Sequence, residues 1–299
     1  GSWRLHNIYT GTCPQCKSPP GWTRYLSHFL TYDEVKDDKG EKPMLIIDGK
    51  KIMSSQDFGY GRGDTIERGI LEKMLTAETV FSYPSEALLH FELNLRKELV
   101  NASERLNNSF FSFRLFRDAI CNTQYWDKTE EGGFRLKKTA NPHEAVLDIT
   151  KNSRRYGTEC ATAIVMVFYL AIVEALPAEL FDMLFSDIYL MDWKYLDKDL
   201  GVGTYQGVED SLPGDCLYFK NPDVNPDTPE WQGENVIQLL DGYYYGHGIG
   251  VKTAAGIIRD LNRNRSRGSE ISAYLMDLIV KPDFQYLGRR YEAFRNANG

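Results

Sequence analysis

The chain has 299 residues, 42% hydrophobic and 26% charged, with a formal net charge of −7 and a pI near 5.4. That length can bury a substantial core in one large domain or two modest ones, while the acidic balance argues against partners that are phosphate backbones or anionic membranes, which select for excess Lys and Arg. No nucleic-acid partner is expected, and the longest uncharged apolar run, Ala161 to Val173, is shorter than the ~18 to 20 residues of a membrane-spanning helix.

At the N-terminus no basic segment precedes an apolar one, and Gly1-Ser2 reads as an expression scar, so an earlier targeting segment is compatible with the sequence. The five cysteines are too few and too scattered for a disulfide framework, and reduced thiols are the default. The first stretch, with "TCPQCKSPPGW" and then the charged, turn-prone "DEVKDDKGEKP", differs from the rest of the chain. A boundary near Pro43 divides an N-terminal extension, 1–43, from a domain, 44–299. Cys13 and Cys16 have the spacing of half a zinc site or of a redox pair, with His6 and His28 the only other candidate ligands nearby, and equally of two incidental thiols.

Beyond Met44 the pattern is mixed. "MLIID" and "GKKIM" predict a hairpin across Gly49, and "SEALLHFELNLRKELVNASERL" repeats Leu88, Leu89, Leu93, Leu99 and Leu106 at helical spacing. A further helix is predicted around "SFRLFRDAI", and a long one from about Thr158 to about Leu176, stopped near Pro177. Then come strands, "DIYLMDW", "DCLYFK", "NVIQLL" and "YYYGHGIGV", and a last helix, "SAYLMDLIV", ahead of a polar tail. The basic cluster Arg259, Arg263, Arg265 and Arg267 reads as a solvated helix end and loop. Helices first and strands later predict an α+β fold.

Within "YGTECATAIVMVFYLAIVEAL" the cysteine Cys160 stands where the long helix begins. Thiolate is the nucleophilic form of cysteine, and a helix N-terminus favours it through unpaired N–H groups and the dipole. The competing reading is a buried, inert thiol at the edge of a core helix. Downstream, "LPGDCLYF" sets a turn before an apolar strand, Glu234 opens another strand in "WQGENVIQLL", and His247 lies between two glycines.

A Cys-bearing helix, a "PGD" strand and then a strand with the polar partner resemble the order found in papain-like NlpC/P60 cysteine enzymes. There the partner is ordinarily histidine, whereas Glu234 fills that slot here. The narrower likeness, carried by "ECATAIV", Asp192-Trp193, "GDCLYFKNP", Trp231 to Leu239, "HG.G" from His247 and "NTQYW" at Asn122 to Trp126, is to the spore-coat-type bacterial protein-glutamine γ-glutamyltransferases, small calcium-independent transglutaminases. It spans Met44 to about Leu287. The resemblance implies a papain-like core, a Cys-bearing helix packed on a small antiparallel sheet with additional helices. It implies Cys160 as nucleophile, Glu234 as its proton partner, Glu159 as a partly redundant second base and His247 in support. It also assigns Trp193, Tyr218, Trp231 and Phe116 to an aromatic substrate tunnel, for which plain core packing is the competing reading. Cys216 is expected to be a buried structural thiol.

The implied activity joins a glutamine γ-carboxamide to a lysine ε-amine through a thioester, releasing ammonia, on protein substrates with accessible Gln and Lys. Glutamine deamidation, γ-glutamyl peptide hydrolysis and a non-catalytic coat role are the alternatives. No cofactor and no metal are expected: no Asp/Glu cluster has calcium-loop spacing, and a thiolate–carboxyl pair needs no Lewis acid. The family setting is the spore coat or cytoplasm, whereas the extension before Met44 also fits the linker of a secreted effector.

Overall fold

A computed structural model describes residues 45–55 and 65–298. Cys13, Cys16 and the rest of the extension lie outside the described residues. Strands β1 (Leu45–Ile47) and β2 (Lys50–Ile52) pair antiparallel across Asp48 and Gly49, both with positive φ. An Asp-Gly pair suits that geometry because its two central residues must adopt φ > 0, so the expected hairpin is present. Helix α1 (Thr65–Thr76) follows. Strand β3 (Phe81–Tyr83) then pairs parallel to β1, and helix α2 (Glu86–Asn107) starts at Ser85, whose hydroxyl accepts the Leu88 N–H.

The "SFRLFRDAI" segment is not a helix. It forms the short strand β4 (Ser112–Phe113) and a single 3-10 turn at Phe116–Asp118, because its main chain bonds to the residues ahead of Cys160: the Ser112 N–H to the Tyr156 carbonyl and the Arg114 N–H to that of Thr158. Strands β5 (Trp126–Lys128) and β6 (Phe134–Leu136) lead to helix α3 (Pro142–Lys151), started by the Asn141 cap and a proline in its first turn. Strand β7 (Gly157–Thr158) lies parallel to β4 and runs straight into helix α4 (Cys160–Ala175). Residues 161–173 of α4 are all buried. A helix apolar on every face belongs in the centre of a domain, and α2, α3 and the main sheet surround it.

Helix α5 (Ala178–Leu184) and strand β8 (Tyr189–Leu190) come next; β8 joins β6 rather than the main sheet. The main sheet has six antiparallel strands in the order β13-β12-β11-β10-β14-β9. They are β9 (Gly203–Tyr205), β10 (Cys216–Lys220), β11 (Gly233–Gln238), β12 (Tyr243–Gly246), β13 (Gly250–Thr253) and β14 (Tyr274–Lys281), with helix α6 (Ala254–Arg263) after β13.

The "SAYLMDLIV" helix expectation is overturned: this segment is β14, between β10 and β9. Leu278 and Val280 enter the core around α4, while Ile279 enters the cluster under α6. A strand covered on both faces reads as a continuous apolar run, which periodicity cannot separate from a buried helix. The expected polar tail is instead helix α7 (Phe284–Asn298), docked on α2 with Gly288 close to Leu88 and Phe91. The fold is α+β, and no described helix is long and apolar enough to cross a membrane.

Candidate active site

Cys160 is the first residue of α4, and the residue before it is the helix cap: Glu159 Oε2 accepts the Ala161 N–H at 2.6 Å and Oε1 the Thr162 N–H at 2.7 Å. The sequence reading gives those helix-end donors to the thiolate; the structure gives them to Glu159. Burial, and then the neighbouring charge of Asp192, still raise the Glu159 carboxyl to about 7 against the pull of these hydrogen bonds. Asp192 has φ 50, in the left-handed region, and its N–H bonds to Thr162 Oγ1 at 2.8 Å, which ties that turn to the first turn of α4. Burial holds the Asp192 carboxyl above its usual range as well.

Strand β11 supplies the other wall. Its alternation turns Ile237 into the core around α4 and Val236 into the cluster under α6, while Asn235 and Glu234, opposite Tyr218 and Phe219 of β10, both act on the Cys160 thiol. The Asn235 amide nitrogen donates to Cys160 Sγ at 3.8 Å. Glu234 is buried, and its Oε1 has no hydrogen-bond partner among the described residues. Burial, followed by the charge of Glu159, pushes the Glu234 carboxyl well above the ordinary carboxylate range, and Lys252 offsets this in part. The Cys160 thiol is also pushed up, first by burial, then by Glu234 and Glu159, with Asn235 acting in the opposite sense. Three carboxyl groups and a thiol therefore share a poorly solvated space. Such a cluster retains protons, because each further charge is unfavourable both in desolvation and in repulsion.

His247 follows β12, and both its ring nitrogens are committed. Nε2 faces the Ser112 carbonyl at 3.3 Å and Nδ1 the Tyr245 hydroxyl at 3.3 Å, so the neutral form donates from Nε2 and accepts at Nδ1. Burial lowers its pKa to about 4, and the ring packs 4.5 Å from that of Phe111.

The four expected tunnel aromatics occupy different surroundings. Trp193 directly follows Asp192, half-buried, with its ring 6.0 Å from that of Phe168 on α4. Tyr218 stands opposite Asn235 in the β10–β11 register. Trp231 packs at the edge of the cluster under α6, and Phe116 is buried with Tyr189 and Met191. Two further residues at the site escaped the sequence reading. Asn235 stands beside Glu234 in the quoted "GEN" string and touches the sulfur, and Phe113 is 41% exposed with its ring 6.0 Å from His247. Cys216 is buried in β10, as expected. Among the described residues there is no group of three or more His, Cys, Asp or Glu side chains arranged to hold a metal ion.

This arrangement, a cysteine at a helix start beside proton-holding carboxyl groups, is chemically suited to covalent acyl transfer. The chain is 40% identical over 238 residues to a protein-glutamine gamma-glutamyltransferase of Halalkalibacterium halodurans, covering 80% of this chain and 82% of the relative. It is 44% identical over 220 residues to one of Bacillus cereus strain B4264, covering 74% and 79% respectively. Among solved structures, a transglutaminase from Geobacillus stearothermophilus without its C-terminal extension superposes with a TM-score of 0.67 at 50% identity, over 70% of this chain and 99% of that one. The family model for protein-glutamine gamma-glutamyltransferase matches residues 44–291, and the chain belongs to that family.

Proposed function

We propose that this chain cross-links proteins by acyl transfer from the γ-carboxamide of a glutamine to the ε-amine of a lysine, with Cys160 as nucleophile and Glu234 as its principal proton partner. The observation that carries the reading is the placement of the Cys160 thiol among buried carboxyl groups that hold protons. Thiol with carboxylate, and thiolate with carboxylic acid, carry the same single charge, so one proton can pass from Sγ to Glu234 without creating a further buried charge. The thiolate attacks the carboxamide carbon and forms the S–C bond. Collapse of the tetrahedral adduct breaks the C–N bond, and the carboxylic acid protonates the departing ammonia.

The thioester is then attacked by the lysine amine, a carboxylate takes the amine's proton, and the thiol is regenerated as the isopeptide leaves. Glu159 is the second proton carrier, and His247 supports the site through Tyr245 and the Ser112 carbonyl. Trp193, Tyr218, Trp231 and Phe116 are proposed to shield the thioester from water, and the Cys-bearing helix on its antiparallel sheet to form an NlpC/P60-type core. The test is intact mass spectrometry of a glutamine-bearing protein incubated with this chain and a primary amine. A gain equal to the amine less ammonia supports transfer, whereas conversion of amide to acid alone would replace this reading with deamidation.

A further inference from the structure

Two donors of one residue converge on the sulfur of Cys160. The side-chain amide of Asn235 donates from Nδ2 at 3.8 Å, and the Asn235 main-chain N–H also bonds to Sγ. Strand order explains how one residue reaches the sulfur twice. The β11–β12 pairing runs from Val236 to Gln238, so Asn235 stands one residue beyond the last residue paired with β12, while β10 holds it opposite Tyr218.

The neighbouring donors are spent elsewhere. The Ala161 and Thr162 N–H groups go to Glu159, and the His247 Nε2–H goes to the Ser112 carbonyl. The charged and titratable groups around the thiol are Glu159 on the α4 cap and Glu234 on β11. Behind them Asp192 acts on Glu159, and Lys252 of β13 acts on Glu234. Both groups that act directly on the sulfur are acids, so charge forming there meets repulsion from two sides, and a donor of fixed direction has to offset it.

We propose that Asn235 is a further catalytic residue, whose side-chain amide holds the sulfur of Cys160 and stabilises the negative charge that develops there. The assignment rests on Cys160 being the nucleophile. As the proton leaves Sγ for a carboxylate, the N–H···S contact becomes charge-assisted and strengthens. Once the S–C bond forms, the negative charge has moved to the former carboxamide oxygen and the contact weakens again. Donor strength thus appears where the charge is, which is the condition for lowering a barrier rather than only binding the resting state.

The test is the alkylation rate of Cys160 by iodoacetamide as a function of pH, in which thiolate displaces iodide. Peptide mapping separates Cys160 from Cys13, Cys16, Cys121 and Cys216. Wild type is compared with Asn235→Ala, which removes the donor, and with Asn235→Asp, which keeps the size and replaces the donor with a carboxyl group. Melting temperature serves as the folding control. The expected result is alkylation about tenfold slower at neutral pH in Asn235→Ala, as for loss of one hydrogen bond to a charged group, with its profile moved to higher pH and Asn235→Asp slower still. Profiles of both variants that superimpose on the wild-type profile would overturn the proposal. If wild-type Cys160 is not alkylated while Cys121 is, the nucleophile assignment itself fails, and the role of Asn235 fails with it.

Discussion

Glu159 closes the end of the helix that Cys160 opens, holding the Ala161 and Thr162 N–H groups at 2.6 and 2.7 Å. The favourable end of the α4 dipole therefore stabilises a carboxylate next to the thiol rather than the thiolate. Because burial and Asp192 nevertheless leave that carboxyl at about 7, Glu159 changes charge within the neutral range, and the site's protonation with it.

Stability should depend on pH in two opposing ways. Glu159 has a higher pKa folded, about 7, than unfolded, near 4.3. Its contribution is full below about pH 4.3 and is lost as pH rises toward 7. His247 has a lower pKa folded, about 4, than unfolded, near 6.5. Its contribution is full above about pH 6.5 and is lost as pH falls toward 4. Each is worth at most roughly 3 to 4 kcal/mol, and they oppose between about pH 4.3 and 6.5. Denaturant midpoints measured from pH 4 to 8 should therefore rise more steeply with pH in Glu159→Gln than in wild type, and less steeply in His247→Gln. A constant offset between wild type and Glu159→Gln across that range would show that Glu159 has an ordinary pKa.

For the two core-side thiols the expected outcomes are opposite. Cys160→Ala should remove amine incorporation with little change in melting, since the site at the helix start loses only a sulfur. Cys216, buried in β10, should on replacement by Ala cost about 1 kcal/mol of stability by leaving a small void, and turnover of the folded protein should persist. Measurable cross-linking by purified Cys160→Ala would remove the nucleophile assignment.

Glu234→Gln keeps size and shape but can neither accept the thiol proton nor protonate ammonia. The rate should fall by on the order of 10² to 10⁴, the span of general acid–base groups. Glu159 adjoins Cys160, so a residue of activity should survive in Glu234→Gln and vanish in Glu159→Gln/Glu234→Gln. His247→Gln should be milder, because its ring nitrogens engage Tyr245 and the Ser112 carbonyl. A dead His247→Gln beside a nearly normal Glu234→Gln would make this a Cys–His site.

What the sequence revealed depended on how local each signal was. Asp48-Gly49 encodes a turn by itself, and Asp241-Gly242, with the same pair of positive φ values, makes the β11–β12 turn in the same way, although only the first stood out as a turn. Cys160, Glu159 and Glu234 stood out as candidates because their strings are long and ordered, whereas Asn235 could not be singled out until β11 was laid against α4. Ile279 facing α6 while Leu278 and Val280 face α4 is a tertiary fact, and without it "SAYLMDLIV" is equally a helix. The buried pairing of Arg96 with Asp215 joins residues 119 positions apart, beyond the reach of any periodicity.

That pairing carries its own prediction. The Arg96 side chain is fully buried; it bonds Glu92 at 2.8 Å, Asp215 at 2.9 Å and the Pro213 carbonyl at 3.1 Å, with the Phe284 ring stacked 4.4 Å away. Arg96→Met would leave two buried carboxylates without their cation, a loss of about 3 to 5 kcal/mol. Chemical denaturation should show it. A loss under about 1 kcal/mol would mean that the acids find protons or water instead.

The last prediction concerns Gly246, at the end of β12. A Cβ there would lie 2.8 Å from Glu234 Oε1 and 2.7 Å from Ile249 Cγ1, both closer than real contacts allow. Both contacts are with the ends of flexible side chains; Ile249 is partly exposed and able to swing aside, whereas Glu234 is buried and must shift its carboxyl to make room. Gly246→Ala should therefore displace the Glu234 carboxyl from Cys160. Because proton transfer depends steeply on such placement, kcat should fall about tenfold or more, while the crowding costs only about 1 to 3 kcal/mol of stability. Ile249→Ala in the same chain separates the two clashes. It relieves the contact with Ile249 and leaves that with Glu234, so stability should partly return and kcat should not. Restoration of kcat by Ile249→Ala would show that Gly246 matters for packing alone, and that the position of Glu234 is not what sets the rate.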